Sequence, residues 1–146
     1  MSRKVCKRRA RPAEAPAIVK LATNPEIAIA ERMAVEALRG GYFEYHHYRV
    51  LSDCHSHLTL AARKRKDDSA SSICEMGRLA ILNIYDRRLR TQRYGATGEE
   101  LQALMIMVDF AEDFWKRQSG ALLNECIAIT SAIRRQQLAE SNKKVA

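Results

Sequence analysis

The sequence predicts an all-α fold, an antiparallel bundle of about five helices with an extended basic N-terminal arm. The composition is rich in alanine, leucine, arginine and glutamate and has no cluster of β-branched residues, which is typical of helices. Apolar residues recur three and four positions apart along most of the chain. With 146 residues and only three prolines, the chain fits one domain built from long helices.

The first 22 residues are predicted to form a flexible basic arm. The stretch MSRKVCKRRARPAEAPA has no hydrophobic repeat and contains two prolines. Residues 1–20 hold seven of the 25 Lys and Arg side chains and one of the 17 acids, a net charge of +6. The remaining 18 basic and 16 acidic side chains give the rest of the chain only +2. The excess positive charge is therefore concentrated in the arm.

The first helix is predicted to begin at Asn24, which suits the N-cap. Pro25 suits the first helical position, and Glu26 favours the positive end of the helix dipole. Gly40 and Gly41 mark its end. A narrow apolar face is expected to pack on the bundle, formed by Ile27, Ala30, Ala34, Ala37 and Leu38.

The second and third helices follow as amphipathic stretches. The second is predicted from about Tyr42 to Lys66. The third begins at Ser69 or Ser72, where Ser72 and Glu75 fit a capping box, and ends near residue 90. Its apolar residues cover more than one face, which predicts that it is the most central helix.

The fourth and fifth helices complete a single helical domain over residues 23–140. Thr97 and Glu100 predict a capping box for the fourth helix, which ends near Lys116. A break at Ser119-Gly120 precedes the fifth helix, and residues 141–146 are expected to fray. The inward side of the fifth helix is predicted to consist of Leu122, Leu123, Cys126, Ile129, Ile133 and Leu138.

The stretch HHYRVLSDCHSHL, residues 46–58, holds all four histidines and raises the question of a metal site. On a helix His46 and His57 are ~16 Å apart along the axis, too far to share one zinc ion whose bonds are about 2 Å long. Only Asp53 with His57, or Cys54 with His57, could share a metal ion, and either pair would need ligands from other helices. The simpler interpretation is a surface ion pair between Asp53 and His57, with His47 packed and hydrogen-bonded. No metal or other cofactor is predicted.

Two basic segments are candidates for contact with nucleic acid. Arginine and lysine neutralise phosphates, and tyrosines beside them suit base stacking. The alternatives are a solubilising arm, an arm that binds an acidic protein, and arginines that only satisfy the helix dipole. The candidates in the arm are Arg3, Lys4, Lys7, Arg8, Arg9 and Arg11, and those in YDRRLRTQRY are Arg87, Arg88, Arg90 and Arg93.

Two stretches carry a resemblance to a known group. RLRTQRYGATGEELQALMIMVD, residues 88–109, and YRVLSDCHSHLTLA, residues 48–61, resemble small uncharacterised helical proteins carried by phages and plasmids of proteobacteria. The histidine-rich second helix departs from that group. The resemblance implies an origin in a mobile element, and no functional residue carries over from it.

The predicted function is that of a non-enzymatic accessory or regulatory protein that contacts nucleic acid without reading its sequence. The four cysteines are isolated, which predicts reduced thiols and a cytoplasmic location. The sequence contains no stretch of about 18 apolar residues, so no membrane span is predicted. One alternative is a protein–protein module or homodimeric adaptor of a phage or mobile element, which would use a spare apolar stripe on the third or fourth helix. The other is a metal-dependent enzyme centred on the second helix.

Overall fold

The computed structural model describes residues 24–145, which form five helices joined by short connections. The helices are α1 (Pro25–Gly40), α2 (Tyr45–Arg65), α3 (Asp68–Thr91), α4 (Gly98–Lys116) and α5 (Gly120–Val145). The predicted all-α bundle is confirmed over this range. The basic arm, residues 1–22, lies outside the described residues.

The first four helices close into a ring, and α5 packs on its outside. The main contacts run from α1 to α2, α2 to α3, α3 to α4 and α4 back to α1, while α5 packs mainly along α2. Thus α2 is the most central helix, and the prediction that α3 would be central was wrong. The additional apolar residues of α3 lie partly on the surface, among them Leu79 and Leu82.

The core combines a few large side chains with small residues that let the helices approach closely. Ala34, Ala37, Ala61 and Ala111 are completely buried at helix contacts. The largest buried side chains fill the space between the four helices and are Leu51, Leu58, Ile84, Leu104, Met107 and Phe114.

The caps of α1 and α4 are those that the sequence predicts. Asn24 Oδ1 accepts hydrogen bonds from the backbone N–H groups of Glu26 and Ile27, and Gly41 ends α1 in the left-handed region with φ of 78°. Thr97 Oγ1 accepts from Glu100 N at 3.2 Å, while Glu100 Oε2 accepts from Thr97 N at 2.8 Å.

The predicted starts of α2 and α3 were wrong because the N-caps of these helices are Glu44 and Asp67. The backbone N–H of Glu44 donates to His47 Nδ1 at 3.0 Å, so α2 begins at Tyr45. Asp67 Oδ1 accepts from Ala70 N at 2.9 Å, so α3 begins at Asp68 and Ser72 lies inside the helix rather than at its cap.

The fifth helix is separate from α4, as predicted, but it is longer and less buried than the sequence indicates. It continues to Val145, past the predicted end near Glu140. Ile133 and Leu138 are exposed, which corrects their predicted inward placement. The reason is that α5 packs mainly on one helix, so no second helix covers these side chains. Within residues 24–145, no helix is both long and apolar enough to cross a bilayer.

Candidate nucleic-acid interface

An open cleft lies where the start of α2 meets the end of α3. It has a volume of about 600 Å³. We call it the arginine–tyrosine cleft, and its walls are formed by Gly41, Phe43, Glu44, Tyr45, Arg88, Gln92, Arg93 and Tyr94. It brings together two segments, residues 41–45 and 88–94, that are more than 40 residues apart in the sequence.

Two tyrosines of the cleft wall, Tyr45 and Tyr94, belong to a group of stacked aromatic rings. The Tyr48 ring is stacked with Tyr85 and Tyr94, at centroid distances of 5.4 and 6.2 Å. The Tyr45 ring also stacks with Tyr48, at 6.2 Å, and 61% of Tyr45 remains exposed. Burial raises the pKa of Tyr48, so its phenol stays neutral. Tyr45 therefore stacks on a ring that is packed against the core and keeps most of its own ring exposed in the wall of the cleft.

Within the described residues, 24–145, Arg88 is held in position without an acidic partner. Its guanidinium carbon lies 5.5 Å from the centroid of the Tyr94 ring, a cation–π geometry. Its Nη1 donates to Gln92 Oε1 at 2.8 Å. Gln92 itself ends α3 in the left-handed region, with φ of 60°, and turns the chain toward Tyr94. The charge of Arg88 is therefore oriented but not neutralised.

The balance of charge at the cleft is positive. Among residues 24–145, Arg88, Arg90 and Arg93 form no ion pair with a carboxylate. Glu44 is the one acid in the wall, and its Oε2 lies 3.5 Å from His46 Nδ1. The C-terminal end of a helix repels anions weakly, so any attraction for phosphate must come from the guanidinium groups.

Arg87, which the sequence groups with these arginines, has a structural role instead. Its guanidinium donates to both carboxylate oxygens of Glu100, at 2.8 and 3.0 Å, and to the carbonyl of Gly95 at 2.6 Å. These bonds hold the loop between α3 and α4 and occupy the donors that a phosphate would need. The candidates in the arm, from Arg3 to Arg11, lie outside the described residues.

The exposed tyrosines at and just before the start of α2 were missed by the sequence analysis. Tyr42 and Tyr45 are both exposed, and Tyr45 lines the cleft. A signal was present in the aromatic run YFEYHHY, residues 42–48, where four aromatic rings flank the start of the helix. Nothing in that run indicates that the end of α3 lies beside it.

The histidine-rich stretch of α2 does not assemble a metal centre. The predicted surface ion pair between Asp53 and His57 was wrong, because Asp53 pairs with Arg134 of α5. Burial lowers the pKa of His57, which keeps the ring neutral. In the described part of the chain, no three His, Cys, Asp or Glu side chains are grouped closely enough to hold a metal ion. His47 is partly buried and hydrogen-bonded, because it caps α2.

Compared with known proteins, the chain matches no protein-family model, no curated protein and no solved structure. Fold and site define a helical bundle that carries one cationic, aromatic cleft. The chemistry of that cleft is therefore the basis for a proposed function.

Proposed function

We propose that the protein is a non-enzymatic accessory protein that binds nucleic acid without reading its sequence. The observation that carries the proposal is the position of Arg88 and Arg93, which no acid neutralises within residues 24–145, beside the exposed ring of Tyr45. Guanidinium groups bind phosphate oxygens, and an exposed tyrosine stacks on any base. The basic arm supplies further cations for the same backbone.

The geometry favours a single-stranded segment over a duplex. Stacking on Tyr45 requires a base that has left its own stack, and such bases occur in single strands and loops. A duplex would offer only phosphates to the arginines. We therefore expect Tyr45 to contribute to single-strand binding and the arginines to contribute to both forms.

The test compares two double variants that remove the same charge. The probe is a fluorescein-labelled oligothymidylate, and its anisotropy reports binding by the full chain. Arg88→Ala with Arg93→Ala is expected to weaken binding about tenfold and to reduce its salt dependence. The slope of log K against log salt concentration should become smaller by roughly 0.7 for each phosphate contact that is lost. Arg63→Ala with Arg65→Ala, on the exposed end of α2, is the matched control and should change affinity much less.

A third variant separates stacking from charge. Tyr45→Ala should lose roughly 1–3 kcal/mol of single-strand binding, whereas Tyr45→Phe, which keeps the ring, should lose little. Equal losses in the two arginine pairs would show that only net charge matters. No binding at low salt would reject the proposal and favour an acidic protein as the partner of the cations.

A second candidate function is self-association through the outer face of α3 and α4. The apolar side chains Leu79, Leu82 and Ile106 are exposed, and Leu79 and Ile106 line one groove between the two helices. Exposed apolar groups that form a continuous surface often mark a protein interface. Sedimentation of the wild type should then show a dimer that Leu79→Glu converts to a monomer. A wild-type monomer at all concentrations would exclude this function.

The resemblance to phage and plasmid proteins supports placing the protein among the accessory factors of a mobile element. A cytoplasmic location accords with a nucleic-acid partner. Co-purification from the host with and without nuclease tests the nature of the partner, because a protein partner would survive the nuclease and a nucleic acid would not.

A further inference from the structure

A second cavity lies at the opposite end of α1 from the arginine–tyrosine cleft. Its volume is about 280 Å³, and it is bounded by the start of α1, the end of α4, the start of α5 and one residue of α2. The apolar part of its wall consists of Pro25, Ile27, Ala28, Trp115 and Leu123. The polar residues are Asn24, Glu31, His57, Glu112 and Lys116.

Glu31 is the unusual residue of this wall. It is only 5% exposed, and no Lys, Arg or His lies within ion-pair distance of it among residues 24–145. The thiol of Cys54 and the carboxylate of Glu112 both influence its pKa, and Glu112, which has the same charge sign, raises it further. The other buried acid, Glu100, differs because it has a bidentate arginine partner.

The cations near the cavity are already engaged. Lys116 Nζ lies 3.0 Å from Glu112 Oε1 and 3.6 Å from Asp113 Oδ1. Arg32 Nη2 lies 2.6 Å from Glu112 Oε2. Burial keeps His57 neutral. The cavity therefore contains one carboxyl group that lacks a counter-ion in the described structure, set in a mainly apolar wall.

An unpaired buried carboxylate is unfavourable because burial removes its hydration. Burial raises the pKa of Glu31 from 4.5 to about 7, so the group is close to half ionised at neutral pH. A cation placed beside it would compensate for the lost hydration. An apolar body attached to that cation would displace water from Ile27, Trp115 and Leu123.

We propose that this cavity is a binding site for small primary amines with an apolar body. The ammonium group would pair with Glu31, and the apolar body would lie against Trp115, Ile27 and Leu123. An acidic ligand is disfavoured by Glu31 and Glu112, and a strongly polar ligand by the apolar wall. The site does not depend on nucleic-acid binding, since the arginine–tyrosine cleft lies at the other end of α1.

Trp115 gives a direct measurement, because it is the one tryptophan in the sequence and it lines the cavity. The full-length protein is titrated with 2-phenylethylamine and, as the neutral match, with 2-phenylethanol. The amine is expected to change the fluorescence saturably and to bind at least about tenfold more tightly than the alcohol, since only the amine forms an ion pair.

Two variants on α1 assign the difference to Glu31. Glu31→Gln keeps the shape and removes the charge, so it should reduce amine affinity about tenfold or more and leave the alcohol unchanged. Glu36→Gln, exposed on the same helix, should change neither. Equal binding of amine and alcohol by the wild type would overturn the proposal, whatever the stability of the variants.

The pH dependence provides a second criterion. Amine binding should tighten between about pH 6 and about pH 8, because Glu31 must be ionised to form the pair. The other titratable groups around Glu31 are His57 and Cys54 on α2 and Glu112 and Lys116 on α4. Glu31→Gln should abolish the part of the pH dependence of amine binding that is due to Glu31. Binding that appears only in Lys20→Ala would mean that the chain's own lysine competes for the site, and it would also overturn the proposal.

Discussion

Arg87 on α3 and Glu100 on α4 form a bidentate ion pair that fixes the loop between the two helices. The two guanidinium nitrogens lie 2.8 and 3.0 Å from the carboxylate oxygens. The same arginine donates to the carbonyl of Gly95, and the same glutamate accepts from the backbone N–H of Thr97. One pair therefore joins a helix end, a loop and a helix start, and it encloses the segment that carries Arg88 and Arg93.

Replacing Arg87 should destabilise the fold. In Arg87→Ala, Glu100 keeps its buried position, with 9% exposed, but loses the cation that compensates for its desolvation. We expect the free energy of unfolding to fall by roughly 2 kcal/mol, measured by urea denaturation. Arg90→Ala is the control, since Arg90 is exposed and forms no ion pair within residues 24–145. A similar loss in both variants would contradict the structural role of Arg87.

The same pair makes stability depend on acid pH. Arg87 holds the pKa of Glu100 below its ordinary value of 4.5. The unfolded chain therefore binds more protons in this range, so the contribution to stability is present above about pH 4.5 and is lost as the pH falls through the lower folded pKa. The stability difference between wild type and Glu100→Gln should shrink as the pH falls below about 4.5. A difference that stays constant in acid would count against the pair.

Gly77 should resist substitution although it lies inside a helix. A Cβ at this position would overlap the Sδ of Met107 and lie 3.2 Å from its Cγ, and Met107 is completely buried. Alanine gains about 1 kcal/mol of helix propensity over glycine, whereas overpacking typically costs about 1–3 kcal/mol. Gly77→Ala should therefore show no gain and up to about 2 kcal/mol of net destabilisation in thermal or urea unfolding.

The control for Gly77 is Gly98, at the first position of α4. A Cβ there would meet nothing within 4 Å, so Gly98→Ala should be neutral or slightly stabilising. If Gly77→Ala were equally well tolerated, α3 and α4 would not be packed as closely as the structure has them.

The sequence predicts the features that depend on neighbouring residues and misses those that depend on distant ones. The caps at Asn24 and Thr97 are local, since each hydroxyl or amide oxygen bonds to backbone two or three residues away. The start of α3 was misplaced because Asp67 and Ser72 are both suitable cap residues, and Asp67 is the one that caps the helix in the structure. Ile133 fits an apolar stripe, but only the fold shows that α5 has a single main neighbour.

The same distinction applies to the site. The arginines after Tyr85 are visible as a cluster, but sequence alone cannot distinguish Arg87, whose partner is 13 residues away, from Arg88, which has no acidic partner in the described structure. The partner of Asp53 is 81 residues away, so the four-residue spacing to His57 suggested the wrong pair. Glu31 looks like an ordinary polar residue of α1, and only the closing of α1 on α2 and α4 buries it.

Glu31 should make the protein less stable as the pH rises. Its folded pKa, about 7, lies above its ordinary value of 4.5, so the folded state binds more protons between these values. Stability therefore falls as the pH rises from about 4.5 to about 7, by up to about 3 kcal/mol in total. Glu31→Gln lacks this loss, so its melting temperature should match that of the wild type near pH 4 and exceed it above pH 7, by an amount that stops growing at about pH 8.

Comparing wild type with Glu31→Gln also distinguishes the effect of the buried carboxyl group from the effect of the amine ligand. The gap between wild type and Glu31→Gln above pH 7 measures the unfavourable ionisation alone, and a gap that is the same at all pH values would reject the raised pKa. Saturating 2-phenylethylamine should narrow the gap at about pH 8, because a ligand that binds only the folded state stabilises it and this one prefers the ionised Glu31. If the difference between wild type and Glu31→Gln depends on pH but does not change with the amine, the raised pKa of Glu31 is supported and amine binding is rejected.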